Sequence, residues 1–397
     1  MDTRYFDTDI SVESTLENQE LISLSFHLLT SLVMAPNLVL PGSKGSTVDV
    51  SILHGGRTTV PTAYVFQGHI SGHDLLDIPC YSFLVENKKQ GKKIIFDLGL
   101  MKAWKEKQPP SILGQIEFAK AVIDIERDVA EQLKAANVPL ESINAIIWSH
   151  HHIDHTGDPS LFPASTALIV GPGFKSNKTT FPGYPENADA VVVNDAFVGR
   201  ELIELDFSSD LKVGGFPAID YFGDGSFYLL QAQGHTHDHI AALARTSDDK
   251  FIFFGGDVAH HPGEYRPTVQ LPLPETIQPS PFTGYASASS CPGALFADIH
   301  PAKESGKDYR TTPFYALNPA MNVSLQDAIE SVNKMTFFDS SPDVFVVIAH
   351  DTSLLDVLPF FPKTLTNWDS ANYKSVGTWR FLKDFREAVN SQETSGS

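Results

Sequence analysis

The sequence predicts one large α/β sandwich with insertions, and three observations predict it. At 397 residues the chain is long for an average domain but within reach of a single layered one. Hydrophobic residues make up 42%, enough for a sizeable core. Short apolar runs of strand character recur along the chain, with a clearly helical stretch among them.

Residues 1–45 read as a leader and linker, expected to be poorly ordered. The run LISLSFHLLTSLVMA (21–35) has signal-peptide length, yet six acidic residues precede it against Arg4 alone, and a secretory leader starts positively charged. The run is too short, and too broken by Ser, His and Thr, for a membrane span. A cytoplasmic protein is expected, with Met34 as an alternative native start. Pro36, Pro41, Gly42 and Gly45 mark the linker. One domain is expected over 46–387. VDVSILHGG (48–56) opens it as a strand, and YSFLVE (81–86) and KKIIFDLG (92–99) form a hairpin across NKKQG. Residues 102–123, with Pro109 and Pro110, read as a cover.

Ile125, Val129 and Leu133 recur every fourth position, which predicts a helix over 124–136, ended by Asn137 and Pro139. INAIIWS (143–149) is a buried strand that runs into HHHIDHTGD. The second half repeats the arrangement. FYLLQA (227–232) leads to GHTHDH, FIFFGG (251–256) to Asp257, and VFVVIA (344–349) to His350. The stretch 258–342 before the last strand is too long for a loop and reads as an insertion forming a pocket wall. The tail 388–397 is expected to be disordered.

Composition narrows the function. With 29 basic and 48 acidic side chains the net charge is −19, which repels phosphate backbones and argues against a nucleic-acid partner. Two cysteines make no disulfide framework and fit a reducing compartment. Ten of the fifteen histidines fall in short clusters or motifs. In HHHIDHTGD, His150 and His152 leave a strand two apart and so point the same way. A turn then brings Asp154 and His155 round, and Gly157 lets the backbone bend closely. Imidazoles and a carboxylate in this spacing suit zinc. A histidine-rich surface turn is the bland alternative, and four ligand-type residues directly after a buried strand weigh against it.

These residues resemble the metallo-β-lactamase superfamily through the H-x-H-x-D-H motif, over about residues 46–355. The resemblance implies a four-layer αβ/βα sandwich and two Zn²⁺ per chain. Asp97 and Gly99 match the D-x-G that supports the metal loop. Gly234, His235 and Thr236 match the G-H-T that supplies a third ligand to the first ion. Asp257, after Gly256, matches the bridging carboxylate, and His350 the last ligand of the second ion. The implied metal set is His150, His152, Asp154, His155, His235, Asp257 and His350. Neither Cys80 nor Cys291 falls where the antibiotic-hydrolysing class B enzymes place a cysteine. The chain therefore resembles the lactonase, glyoxalase II and thioesterase branches more closely, including fungal members that open lactone or lactam rings such as benzoxazolinones.

In the quorum-quenching lactonases a Tyr stands three after the bridging Asp; His260 stands there here and is expected to polarise the substrate carbonyl or shuttle a proton. The implied mechanism is attack by metal-activated hydroxide on a small cyclic ester or amide, with Asp154 moving the proton, in a detoxifying role on a small-molecule substrate. A glyoxalase II-like or polyketide-type thioesterase is the alternative. His151 is expected to point away, and His239 either to line the pocket or to orient a ligand. His54, His69 and His73 have no partner spacing. Trp104, Phe118, Tyr265, Phe282 and Tyr285 are expected to make the pocket partly aromatic. G-x-S-x-G does not occur, which argues against a serine hydrolase.

Overall fold

The computed structural model describes residues 38–42 and 45–395. The expected leader over residues 1–37, including the Met34 start, lies outside them. Numbering the elements used below in chain order, one sheet holds β1 (Asp49–Pro61), β2 (Leu75–Asn87), β3 (Lys92–Phe96), β4 (Val122–Asp124), β5 (Ala145–Ile147), β6 (Ala167–Val170) and β7 (Leu202–Glu204). Its strand order is β4-β1-β2-β3-β5-β6-β7. The second sheet holds β8 (Lys212–Val213), β9 (Phe216–Asp220), β10 (Phe227–Gln231), β11 (Ile240–Arg245), β12 (Phe251–Phe254) and β13 (Val344–Val347), in the order β13-β12-β11-β10-β9-β8.

The two sheets face each other because their strands alternate. On β3, Ile94 and Phe96 enter the core between the sheets, while Ile95 turns to the outer face. From the second sheet Leu229, Ala242, Ile252, Phe254 and Val347 enter the same core. Phe83 and Phe254 stack across it with centroids 3.9 Å apart. Outside the first sheet, Val129 and Leu133 of a helix pack on Leu84, Ile95 and Ile146. Outside the second, Phe338 of the helix Leu325–Ser340 packs on Phe253, with centroids 4.8 Å apart. This is the expected four-layer αβ/βα sandwich.

Three boundaries differ from expectation. The helix predicted over 124–136 spans Val129–Ala135. Asp128 caps it, accepting from Glu131 N (2.8 Å) while Glu131 Oε2 accepts from Asp128 N (3.2 Å). Residues 122–124 instead pair with Arg57–Thr59 as the edge strand β4, so the fourfold spacing of Ile125 is incidental. Asn137 does take the left-handed cap, at φ 58°. The stretch 258–342 is only partly an insertion, because Leu325–Ser340 is the layer helix joining the parallel pair β12 and β13. Residues Arg386–Ser395 are helical and Ala388 and Val389 are buried, so the start of the tail that is expected to be disordered packs on the domain instead. Among the described residues, no helix is long and apolar enough to cross a membrane.

Candidate metal centre

The chemistry-bearing side chains gather where β3, β5, β10, β12 and β13 end. After β5 the chain bends through residues 149–152, with His152 on extended backbone, and a single turn, Ile153–Thr156, swings Asp154 and His155 round. Trp148 Nε1 donates to the Thr156 carbonyl (3.0 Å) and Gly157 N to the Gly99 carbonyl (2.8 Å), which pins the loop. Gly157 sits at φ 48°, and a Cβ there would lie 2.4 Å from Leu98 Cβ, so the close bend needs glycine. Gly234 plays the same part before His235. At φ 133°, its missing Cβ would lie 2.1 Å from Ala328 N of the layer helix.

All seven expected ligand residues converge. Ligand atoms of His150, His152, His235 and Asp257 lie within 4.8 Å of one another, and so do those of His155, Asp257 and His350. Asp257 stands in both groups with one oxygen toward each. Its Oδ2 faces His235 Nε2 (3.4 Å) and His150 Nε2 (3.7 Å); its Oδ1 faces His350 Nε2 (3.0 Å) and His155 Nε2 (3.1 Å). Asp154 Oδ2 lies 3.4 Å from His350 Nε2.

The imidazoles are oriented from behind. Asp97 Oδ2 accepts from His155 Nδ1 (2.9 Å), and its Oδ1 accepts from Ser149 N (2.6 Å). Asp97 holds this position at φ 61°, left-handed backbone that Asp tolerates better than most residues. His350 Nδ1 donates to the Pro79 carbonyl (2.8 Å). Each such bond puts the ring proton on Nδ1 and leaves Nε2 as a lone pair facing Asp257. His239 supports the centre without joining it. Its Nδ1 donates to the Ala232 carbonyl and its Nε2 accepts from Asp257 N (2.9 Å), which decides its role as orienting. His151 turns away to Asp238 Oδ1 (2.7 Å), as strand alternation requires.

Whether a cation fits can be read from the buried atoms. His150 Nε2, His155 Nε2, Asp257 Oδ1 and His260 Nε2 are buried without a hydrogen-bond partner. One such atom costs about 1–3 kcal/mol, and their convergence on one spot is what a bound cation would satisfy. Protonation agrees. Burial pushes His150 and His235 well down and His152 down to about 4, so these rings are neutral. Burial opposes ionisation of Asp257, but His155, His350 and His260 hold its carboxyl well below the usual range. Burial likewise opposes charge on His155, but Asp257, Asp154 and Asp97 raise it well above the ordinary value. His150, His152 and His235 are thus neutral donors beside an ionised Asp257, as divalent cations require, whereas at His155 a cation would displace the proton that the carboxylates favour.

A cavity of about 530 Å³ opens onto this centre, with His152, Asp154, His235, Asp257, His260 and His350 at its floor. His260 lies at the edge, its Nε2 3.4 Å from Asp257 Oδ2 and its ring parallel to His350. The walls correct the expectation of an aromatic pocket. They are mainly aliphatic, from Val60, Ile78, Ile112, Ile116, Ile123 and Val323, with Tyr64 added. Tyr265 is fully buried, Phe282 packs on a neighbouring core, and Phe118 and Tyr285 face solvent; the helix Pro110–Phe118 meets the cavity through Ile112 and Ile116, not through Phe118. Among the described residues, no lysine or arginine lines the cavity.

Sequence spacing also missed a second cluster. His73 Nδ1 meets Tyr315 Oη (2.6 Å), and His261 Nε2 meets Asp384 Oδ2 (3.2 Å), with the two histidine rings 5.3 Å apart. Gly263 N donates to His261 Nδ1 (2.9 Å), so Nε2 carries the ring proton and donates to Asp384 rather than binding a cation. Four residues from four distant segments leave no local signal.

Comparison with known proteins shows the family. The family described as the metallo-beta-lactamase superfamily matches residues 76–290. The gamma-lactamase FDB1 of Fusarium pseudograminearum is 40% identical over 90% of this chain and 87% of its own length. The gamma-lactamase MBL2 of Gibberella moniliformis is 44% identical over 61% of this chain and all of its own. A crystal structure of a quorum-quenching N-acyl homoserine lactone hydrolase covers 81% of this chain and 99% of its own, at a TM-score of 0.50 and 15% identity, a likeness of fold.

Proposed function

The chain belongs to the metallo-β-lactamase superfamily, and from that premise we propose that it is a dinuclear zinc hydrolase opening a small cyclic amide or ester. The observation that carries the reading is Asp257, one carboxylate with an oxygen toward each of two histidine groups. The names of the gamma-lactamase relatives favour a lactam or lactone as substrate. The cavity supports an uncharged substrate, since its walls carry no cation among the described residues to hold the phosphates of a large thioester carrier.

In this reading His150, His152 and His235 would hold one ion, His155, His350 and Asp154 the other, and Asp257 would bridge them. Bound zinc supplies Lewis acidity toward the carbonyl oxygen and lowers the pKa of a water from 15.7 toward about 7. The chain's own groups do the rest. Asp154, partly open to the cavity, takes the proton of the attacking water and returns it to the leaving nitrogen or oxygen. His260 donates from the cavity edge to the carbonyl oxygen as charge develops on it. The aliphatic walls exclude water and orient the ring.

Metal analysis tests the centre: about two zinc per chain, falling sharply in His152→Ala. Less than half an equivalent of any metal overturns the reading. A panel of γ-lactones, γ-lactams including benzoxazolinone, and acyl-thioesters tests the substrate, and turnover of thioesters alone overturns ring opening. His260→Gln should lower kcat by about 10²–10³ at unchanged metal content, as loss of an oxyanion donor does.

A further inference from the structure

The thiol of Cys80 stands against the candidate metal centre from a strand interior that carries no ligand motif. Cys80 lies inside β2, not just beyond a strand end as the other ligands do, and is buried. Its Sγ, a carboxylate oxygen of Asp154 and a ring nitrogen of His350 all lie within 4.8 Å of one another. Two atoms that each bind one zinc at about 2.0–2.3 Å can be no further apart than roughly that. The preceding residue, Pro79, receives the Nδ1 proton of His350, so the backbone at Cys80 and the ring of His350 are tied together. His350 is shared with the second group, in which it stands with the unpartnered Nε2 of His155 and Oδ1 of Asp257.

We propose that Cys80 contributes its sulfur to the second metal subsite, beside Asp154 and His350 and in addition to Asp257. This rests on the metal-centre reading above and adds a donor to it. A sulfur among hard oxygens and borderline nitrogens makes this the softer of the two subsites, favouring thiophilic cations such as zinc, cobalt and cadmium over manganese or magnesium. A cysteine thiol without a cation carries its proton at neutral pH. Coordination then forms a metal–sulfur bond, breaks the S–H bond and releases that proton to water.

The test needs no turnover. In the full-length chain loaded with cobalt(II), a near-ultraviolet sulfur-to-cobalt charge-transfer band is expected. It should persist in Cys291→Ser, whose sulfur lies on the short strand Cys291–Pro292, and be lost in Cys80→Ser. X-ray absorption of the zinc-loaded wild type, which requires no variant to fold, should show a sulfur shell at about 2.3 Å. A nitrogen and oxygen shell alone at two ions per chain overturns the sulfur assignment and leaves the hydrolase reading standing. A charge-transfer band surviving in Cys80→Ser overturns it as well. Failure to bind any ion overturns both.

Discussion

Replacing Asp97 by Asn removes no contact by size, yet it should cost the centre one of its ions. Asp97 accepts two bonds with two oxygens, from Ser149 N at 2.6 Å and from His155 Nδ1 at 2.9 Å. An amide offers one acceptor and one donor, so the two bonds cannot both survive. If the oxygen stays with His155, the buried Ser149 amide loses its acceptor, at about 1–3 kcal/mol of stability. If the oxygen stays with Ser149, the amide nitrogen faces His155 Nδ1 and forces the proton onto Nε2. That proton then points at Asp257 Oδ1, 3.1 Å away, where a cation needs a lone pair. Loss of such an outer partner typically weakens a site by about 10–100-fold, or ~1.4–2.7 kcal/mol. Zinc affinity measured by competition with a chromophoric chelator at neutral pH should therefore show the ion held by His155 and His350 weakened and the other nearly unchanged. Two ions retained at wild-type affinity would refute the reasoning that Asp97 fixes the His155 tautomer.

Three further outcomes follow from other parts of the molecule. Burial pushes His73 down to about 4 from 6.5, so the unfolded chain takes up a proton that the folded chain refuses. Stability is then lost as pH falls through that window, by up to ~3 kcal/mol from this group; His73→Gln should show a smaller loss in acid denaturation, and an unchanged slope would contradict it. Arg266 and Asp339 form a buried two-bond pair (2.8 and 2.6 Å), with Arg266 Nη1 also donating to the Thr378 carbonyl. Asp339→Ala strands the guanidinium and should cost about 3–5 kcal/mol in denaturant unfolding, whereas Arg266→Met with Asp339→Leu should cost less. Ile116→Trp narrows the cavity and should raise KM while leaving metal content unchanged; an unchanged KM across the panel would show that this wall does not touch substrate.

Much of the site was legible because each ligand follows an apolar strand run. INAIIWS, FYLLQA, FIFFGG and VFVVIA each form the strand they predict, and His150, His235, Asp257 and His350 lie just beyond their ends. The strand-end rule works because strand direction aims the following residues at one edge of the sheet. The helix Val129–Ala135 starts later than the fourfold periodicity implies because the Asp128–Glu131 cap fixes its first turn. The pocket was misjudged because aromatic content says nothing about which face of a segment meets the cavity.

By itself, then, the sequence determined the sandwich, since strand alternation is a local property that carries its own geometry, and its resemblance to the metallo-β-lactamase superfamily implied the seven convergent side chains. Only the tertiary structure decided how Asp257 divides its oxygens, where the aliphatic walls stand, why His73 meets His261, and that the Cys80 sulfur reaches Asp154 and His350. Those are contacts between segments far apart in the chain, and their distances depend on how strands and layers pack across one another.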